Sequence, residues 1–161
     1  MRIVRFGCLL LLLGFSLATQ AKMVHRPVEW TLDGTRFHSV LVYDDTATAK
    51  RPGLVMVPNW YGINDAAVQK AEMIAGRDYV ILLTDMYGAS VRPQQGNADQ
   101  AQAAVKPLYG DRTLMRKRVN EALTQLKGQA ASAPIDAARL AAIGFCFGGS
   151  AVLDLARSGA D

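Results

Sequence analysis

The sequence predicts an α/β fold: a mostly parallel sheet with helices on both faces, preceded by an amino-terminal β-hairpin. Two observations carry this prediction. Residues 54–57, 79–83 and 140–145 are short, continuously apolar runs, which is typical of strands buried on both faces. The segments between them repeat apolar residues with helical periodicity. At 161 residues and 50% hydrophobic, the chain has the size and composition of one domain.

The first 21 residues have the pattern of a secretory signal peptide. Arg2 and Arg5 precede an apolar stretch over 6–17, and the small residues Ala18 to Ala21 follow as a cleavage site. We therefore expect cleavage after Ala21 and a periplasmic or secreted protein, with an uncleaved signal anchor as the alternative. Removal of the two arginines lowers the formal net charge from +4 to +2. So small a charge does not indicate a nucleic-acid partner.

The mature chain, residues 22–161, is predicted to begin with the hairpin. Residues 28–32 and 37–43 flank an Asp-Gly turn pair at 33–34. A helix is expected from Asp65, acting as its cap, to Gly76, and another from Asp111 to Gly128. A weaker helical patch over 98–105 lies in a polar region that we place over the carboxyl ends of the strands. The basic cluster within 112–118 is interpreted as a solvated helix face.

The sequence GFCFGG at 144–149 places Cys146 between an apolar run and a helix. Glycines two residues before and after it permit a sharp strand-to-helix turn, the geometry of an activated nucleophile. The amino terminus of a helix also favours the thiolate form. Cys8 lies in the predicted signal, so Cys146 is the lone cysteine of the mature chain. The alternative is a small, buried and inert thiol.

Two loops follow the earlier strands. In PNWYGIND at 58–65, the Trp60 amide is the expected partner of the Phe147 amide in an oxyanion hole, although the loop could also be an ordinary connection. In TDMYG at 84–88, Asp85 is interpreted as tying down a turn. His25 and His38 lie far upstream, so both are expected to be surface or packing residues.

Taken together, Val57-Pro58 with Gly62, the run DMYG at 85–88 and the turn at 144–149 resemble the dienelactone hydrolase family of α/β-hydrolases. The resemblance implies a Cys, Asp, His triad that cleaves a small-molecule ester or lactone through a thioester. Cys146 is the matching cysteine, and the Asp and His would lie beyond Asp161. We therefore expect an amino-terminal portion of the family fold, truncated after the turn that carries the nucleophile. Its sheet would end on an exposed apolar strand, and efficient turnover is not expected.

Asn59, Tyr61 and Tyr87 are the expected pocket residues. Asn59 stands where dienelactone-cleaving members carry a glutamate, and Gly88-Ala89 stands where they carry an arginine that binds the substrate carboxylate, with Arg92 out of register. A dienelactone substrate is therefore not predicted. No cofactor, metal, nucleic-acid partner or membrane contact beyond the signal is expected. An amidotransferase-like cysteine enzyme and a non-catalytic binding module remain as alternatives.

Overall fold

A computed structural model describes residues 22–46 and 48–160. The predicted signal peptide, residues 1–21, lies outside the described residues. In the described ranges, five strands form one sheet in the order β1-β2-β4-β3-β5, accompanied by four α-helices and a short 3-10 turn at Gln129–Ala131. The bounds are β1 Met23–Leu32, β2 Thr35–Asp44, β3 Arg51–Val57, α1 Asp65–Ala75, β4 Val80–Leu83, α2 Ala98–Gly110, α3 Arg112–Gly128, β5 Ile135–Gly144 and α4 Phe147–Arg157.

The predicted hairpin is present, with longer strands than the sequence indicated. Leu32 pairs with Thr35 across the turn, and Asp33 and Gly34 adopt left-handed φ values of 49° and 75°. β2 then pairs antiparallel with β4. The hairpin therefore extends a parallel unit, β4-β3-β5, in which β3 pairs with both neighbours in the same direction.

Helices cover both faces of the sheet, as predicted. On one face Met56, Ile81 and Leu83 pack against Ala71 and Ala75 of α1. The other face packs against α2, α3 and α4 in a larger cluster that includes Val55, Val57, Val80, Leu82, Leu108, Met115, Leu126, Phe147 and Leu155. This two-sided burial explains why the central strands read as continuous apolar runs rather than as alternating patterns.

Within the described residues, β5 pairs only with β3 and forms an edge of the sheet. An apolar hollow of about 220 Å³ lies beside it, lined by Leu123, Leu140, Ala141, Ala142, Val152, Leu155, Ala156 and Ala160. The expected exposed apolar edge is therefore confirmed. No helix in residues 22–46 or 48–160 has the length and hydrophobicity needed to cross a membrane.

Two predicted helix details are wrong. Asn64, not Asp65, caps α1, because its side-chain oxygen accepts the Ala67 amide at 2.9 Å while Asp65 is the first helical residue. α2 also runs past the predicted 98–105 patch to Gly110, with Pro107 inside the helix. The predicted start of α3 near Asp111 and its end at Gly128 are confirmed, and the Asp111 side chain caps the helix by accepting the Leu114 amide.

The interpretation of the α3 basic cluster as a solvated face is wrong for two of its members. Arg112 Nε and Nη2 lie 2.7 and 2.8 Å from the two carboxylate oxygens of Asp154, whose side chain is only 5% exposed. Arg118 Nη1 donates to the Met86 carbonyl at 2.7 Å. The sequence could not reveal these roles, because both acceptors belong to elements distant from α3 along the chain.

Buried Asp44, at the end of β2, joins the start of β1 through its carboxylate and the start of β3 through its backbone carbonyl. Asp44 Oδ1 accepts from the Lys22 amide at 3.1 Å and from the Thr46 amide and hydroxyl at 2.9 and 2.8 Å. Arg51 Nη2 donates to the Asp44 carbonyl at 2.7 Å, and Arg77 lies 3.7 Å from the carboxylate. The Thr46 groups are the main cause that lowers the pKa of Asp44 below its usual value.

We predict that Asp44→Asn lowers the melting temperature at neutral pH. Because folding lowers the pKa of Asp44, its contribution is present above the unfolded value of about 3.9 and disappears as pH falls through the folded value. The difference in melting temperature between parent and variant should therefore become smaller below about pH 4. Asp45→Asn, which removes an exposed neighbouring carboxylate, is the control. A gap that stays constant down to about pH 3 would contradict the assignment.

Candidate active site

Cys146 occupies a strained turn between β5 and α4. Its φ of 55° and ψ of −114° lie outside the regions that non-glycine residues favour. Among the described residues, only Asp33 shares a positive φ without being glycine. The thiol is exposed, which rules out the buried thiol considered from the sequence. Strain of this kind concentrates at functional sites because the surrounding packing must enforce it.

Two glycines allow the turn to pack against the end of β3. A Cβ on Gly144 would overlap the Gly148 carbonyl, and a Cβ on Gly148 would overlap the Val57 carbonyl. The Phe145 amide also donates to the Val57 oxygen at 3.2 Å. Gly148 therefore permits the close approach to β3, and Gly144 permits the turn to fold back against its own backbone.

The amides of Phe147 and Trp60 carry no hydrogen bond to any acceptor in the described part of the chain. The next two amides in the turn, those of Gly148 and Gly149, already donate to carbonyls of the same turn, each at 2.9 Å. The structure thus leaves an unused N–H directly after the cysteine and another in the loop after β3. Unpaired amides at a helix amino terminus are available to an incoming oxygen.

The loop after β3 is shaped by Asn59. Its side-chain oxygen accepts the Tyr61 amide at 3.0 Å, and its carbonyl accepts the Gly62 amide at 2.9 Å. Gly62 has a φ of 71°, which a glycine adopts without strain. The Tyr61 ring lies edge-on to Trp60, with centroids 5.5 Å apart. Asn59 therefore maintains the loop turn through an interaction typical of Asn and Asp.

Tyr87 connects this loop to the cysteine turn. Its hydroxyl donates to the Trp60 carbonyl at 2.9 Å, and its ring stacks on Phe147 with centroids 5.7 Å apart. Burial is the main cause that raises the pKa of Tyr87 well above its usual value, so the hydroxyl remains a donor. One buried side chain thus contacts both residues whose amides are unpaired.

Asp85 is confirmed as a structural residue of the loop after β4. Its carboxylate accepts the amides of Tyr87 and Gly88 at 3.0 Å and that of His38 at 3.1 Å. Arg92 Nη2 adds a fourth contact at 2.9 Å. These partners fix the loop that carries Tyr87.

Both histidines lie away from Cys146, as expected from the sequence. His25 on β1 pairs with Glu72 at 2.7 Å, and His38 on β2 lies 3.6 Å from Glu29. β2 is separated from β5 by three strand spacings, or about 14 Å. Neither ring can therefore serve as a base for the thiol. Within residues 22–46 and 48–160, no group of three or more His, Cys, Asp or Glu side chains is placed to hold a metal ion.

An open groove of about 710 Å³ runs beside the cysteine turn, lined by Trp60, Gln102, Val105, Lys106, Tyr109 and Gly110. Tyr109 packs edge-on against Phe147 with centroids 5.7 Å apart. α2 therefore lies beside the carboxyl end of β3, where the sequence placed this polar region. Tyr109 was missed because the predicted helix stopped at 105, although its spacing of four from Val105 continues the helical repeat.

The sequence model of the dienelactone hydrolase family matches residues 37–161. The chain belongs to this family. A probable 2-oxo-3-(5-oxofuran-2-ylidene)propanoate lactonase from Bradyrhizobium sp is 33% identical over 133 residues, covering 81% of this chain and 52% of that protein. The family membership agrees with the resemblance seen in the sequence and leaves the amidotransferase-like alternative without support.

Solved structures confirm the fold. The dienelactone hydrolase-like promiscuous phosphotriesterase P91 from metagenomic libraries is 35% identical with a TM-score of 0.77, over 88% of this chain and 56% of that one. The structure of m3DLH is 39% identical with a TM-score of 0.74, over 86% of this chain and 55% of that one. The chain thus spans about half the length of the relatives it matches.

We predict that Gly148→Ala destabilises the fold by about 2 to 3 kcal/mol, because the new methyl group must displace the β3 backbone. Urea unfolding measures this change. Gly149→Ala is the matched control, because its Cβ would meet only an ordinary contact at 3.7 Å, and its effect should stay within about 1 kcal/mol. Equal effects of the two substitutions would contradict the close approach.

Proposed function

We propose that this protein hydrolyses a carboxylic ester or lactone, with Cys146 as the nucleophile and a thioester intermediate. The observation that carries the proposal is the exposed Cys146 thiol, held at positive φ and followed by an unpaired amide. Membership of the dienelactone hydrolase family supports the reaction class. The lactonase relative supports a carbonyl substrate of this type.

In the proposed reaction, Cys146 Sγ attacks the carbonyl carbon and the carbonyl oxygen becomes an oxyanion. The N–H groups of Phe147 and Trp60 would donate to that oxygen. Collapse of the tetrahedral intermediate breaks the bond to the leaving oxygen, which departs with a proton as an alcohol. The enzyme is left as a thioester, and attack by water then releases the acid and restores the thiol.

Proton transfers in this sequence need a base that the described residues do not place beside Cys146. His25 on β1 lies beside Glu72, and His38 on β2 lies beside Glu29. The Asp85 carboxylate accepts hydrogen bonds from amides of its own loop. The family resemblance implies an Asp and a His in these roles, and the described residues place neither beside Cys146. For the 161-residue chain we therefore propose acylation without efficient release.

The groove beside the turn supports a substrate with an apolar or aromatic portion. Trp60 and Tyr109 line it, and the exposed Lys106 is its charged side chain. Asn59 provides no carboxylate at the position where dienelactone-cleaving members have glutamate, and its side-chain oxygen already accepts the Tyr61 amide. We accordingly propose an ester or lactone other than a dienelactone.

We predict that p-nitrophenyl acetate acetylates Cys146 in the 161-residue chain carrying Cys8→Ser. Intact-mass measurement should show one acetyl group per chain, and p-nitrophenolate release should stop near one equivalent. The same chain with Cys146→Ala should show neither. Iodoacetamide should also alkylate Cys146 faster than it alkylates an unstructured cysteine peptide.

Alkylation no faster than in the peptide would refute an activated thiol. Sustained turnover by the parent, absent from Cys146→Ala, would instead overturn the inference that no base of this chain reaches the site. Tight retention of an uncleaved ester with no acetylation would support the non-catalytic binding module.

We predict that Tyr87→Phe slows acetylation of Cys146 about fivefold to tenfold. The substitution keeps the ring stacked on Phe147 but removes the donor to the Trp60 carbonyl, and a buried hydrogen bond of this kind contributes about 1 kcal/mol. Stopped-flow detection of p-nitrophenolate measures the rate. Tyr79→Phe, at the opposite end of β4, is the control. Unchanged acetylation by Tyr87→Phe would argue against a role of Tyr87 in positioning the loop that carries the Trp60 amide.

A further inference from the structure

Arg118 is a half-buried cation without an acidic partner. It projects from α3, donates through Nη1 to the carbonyls of Met86 and Tyr87 at 2.7 and 3.5 Å, and lies over the Phe37 ring at 5.2 Å. No carboxylate of the described residues lies within 4 Å of it, in contrast to Arg112 on the same helix. Charged side chains this far from bulk water are usually paired.

One edge of the guanidinium fork remains free. Nε and Nη2 of Arg118 donate to no acceptor in the described ranges, and neither belongs to the fully buried polar atoms that lack a partner. Neither N–H group is therefore fully enclosed by the protein. Two parallel N–H groups on one edge of a guanidinium match the two oxygens of a carboxylate.

This arginine lines a cavity of about 560 Å³ between the loop after β4, α2 and α3. Its wall combines apolar side chains, among them Val91, Pro93 and Ala104, with the polar side chains of Gln94 and Gln100 in comparable proportion. Apolar contacts together with a small number of polar groups are typical of sites for small organic molecules. Neither Cys146 nor Trp60 lines this cavity, and Tyr87 links it to the site described above.

No acidic side chain around the cavity is free to neutralise the positive charge of Arg118. Arg92 is 2.9 Å from Asp85 and also donates to the Gly88 carbonyl, so that pair is engaged within the loop. Asp33, the other acid close enough to act on Arg118, is bound by Lys117 at 2.6 Å. Burial is the main cause that lowers the pKa of Arg118 from its usual value. A bound anion would offset this cost.

We propose that the Arg118 cavity is a binding site for a small organic carboxylate, separate from the cysteine site. Its two oxygens would accept from Arg118 Nε–H and Nη2–H, and its carbon skeleton would contact the apolar wall. One unbalanced positive charge with a single free fork suits one carboxylate better than a more highly charged phosphate. The proposal does not depend on the hydrolase function, because Cys146 takes no part in it.

The test uses the 161-residue chain with Cys146→Ala, so that no covalent reaction at Cys146 can contribute to the result. Thermal melts are recorded with increasing sodium acetate at constant ionic strength set by chloride. Acetate should raise the melting temperature saturably, by about 3 °C at ten times the dissociation constant. Arg118→Gln should abolish the shift relative to its own acetate-free melt, and Arg118→Lys, which keeps the charge without the fork, should reduce it.

Arg116→Gln is the matched control, because that arginine is on the same helix and its side chain, within residues 22–46 and 48–160, donates only to the Thr113 hydroxyl at 3.3 Å. It should retain the full acetate shift. The proposal would be overturned if acetate raised the melting temperature of Arg118→Gln as much as that of the parent. It would also be overturned if Arg116→Gln lost the acetate-induced rise. Saturable stabilisation by inorganic phosphate but not by acetate, lost in Arg118→Gln, would overturn the assignment to carboxylates.

Discussion

The cysteine turn depends on how closely the backbone at 144–148 approaches the carbonyl oxygen of Val57. No side chain fits at Gly144 or Gly148, and the Phe145 amide donates to that same oxygen. β3 therefore acts as the support against which the strained φ of Cys146 is held. Because β3 is paired with β4 along one edge and with β5 along the other, both neighbouring strands fix the position of this support.

The positions of the loops after β3 and β4 depend in turn on the position of β3. Asn59 shapes one loop and Asp85 the other, each through side-chain acceptors for backbone amides. Tyr87 then joins them, because its hydroxyl reaches the Trp60 carbonyl while its ring covers Phe147. The two unpaired amides are thus positioned by side chains that are buried, Asp85 and Tyr87, or half-buried, Asn59, and each of the three is held by hydrogen bonds.

The sequence was sufficient for features encoded locally and insufficient for those that depend on distant partners. Apolar runs, the Asp-Gly turn and the glycines around Cys146 are local signals, and each predicted its element. Arg112 and Arg118 had the spacing of a solvated face, but Asp154 and the Met86 carbonyl engage them across the fold. Likewise, nothing near Tyr109 in sequence indicates that it packs on Phe147.

The contact between Val57 and the 144–148 turn also bears on how the molecule folds. The hairpin β1-β2 joins neighbours in the chain, whereas β3 and β5 are separated by α1, β4, α2 and α3. Contacts between segments so distant in sequence are costly in loop entropy. We therefore expect the unusual backbone of Cys146 to form after the hairpin, so that its strain affects the late steps of folding rather than the first.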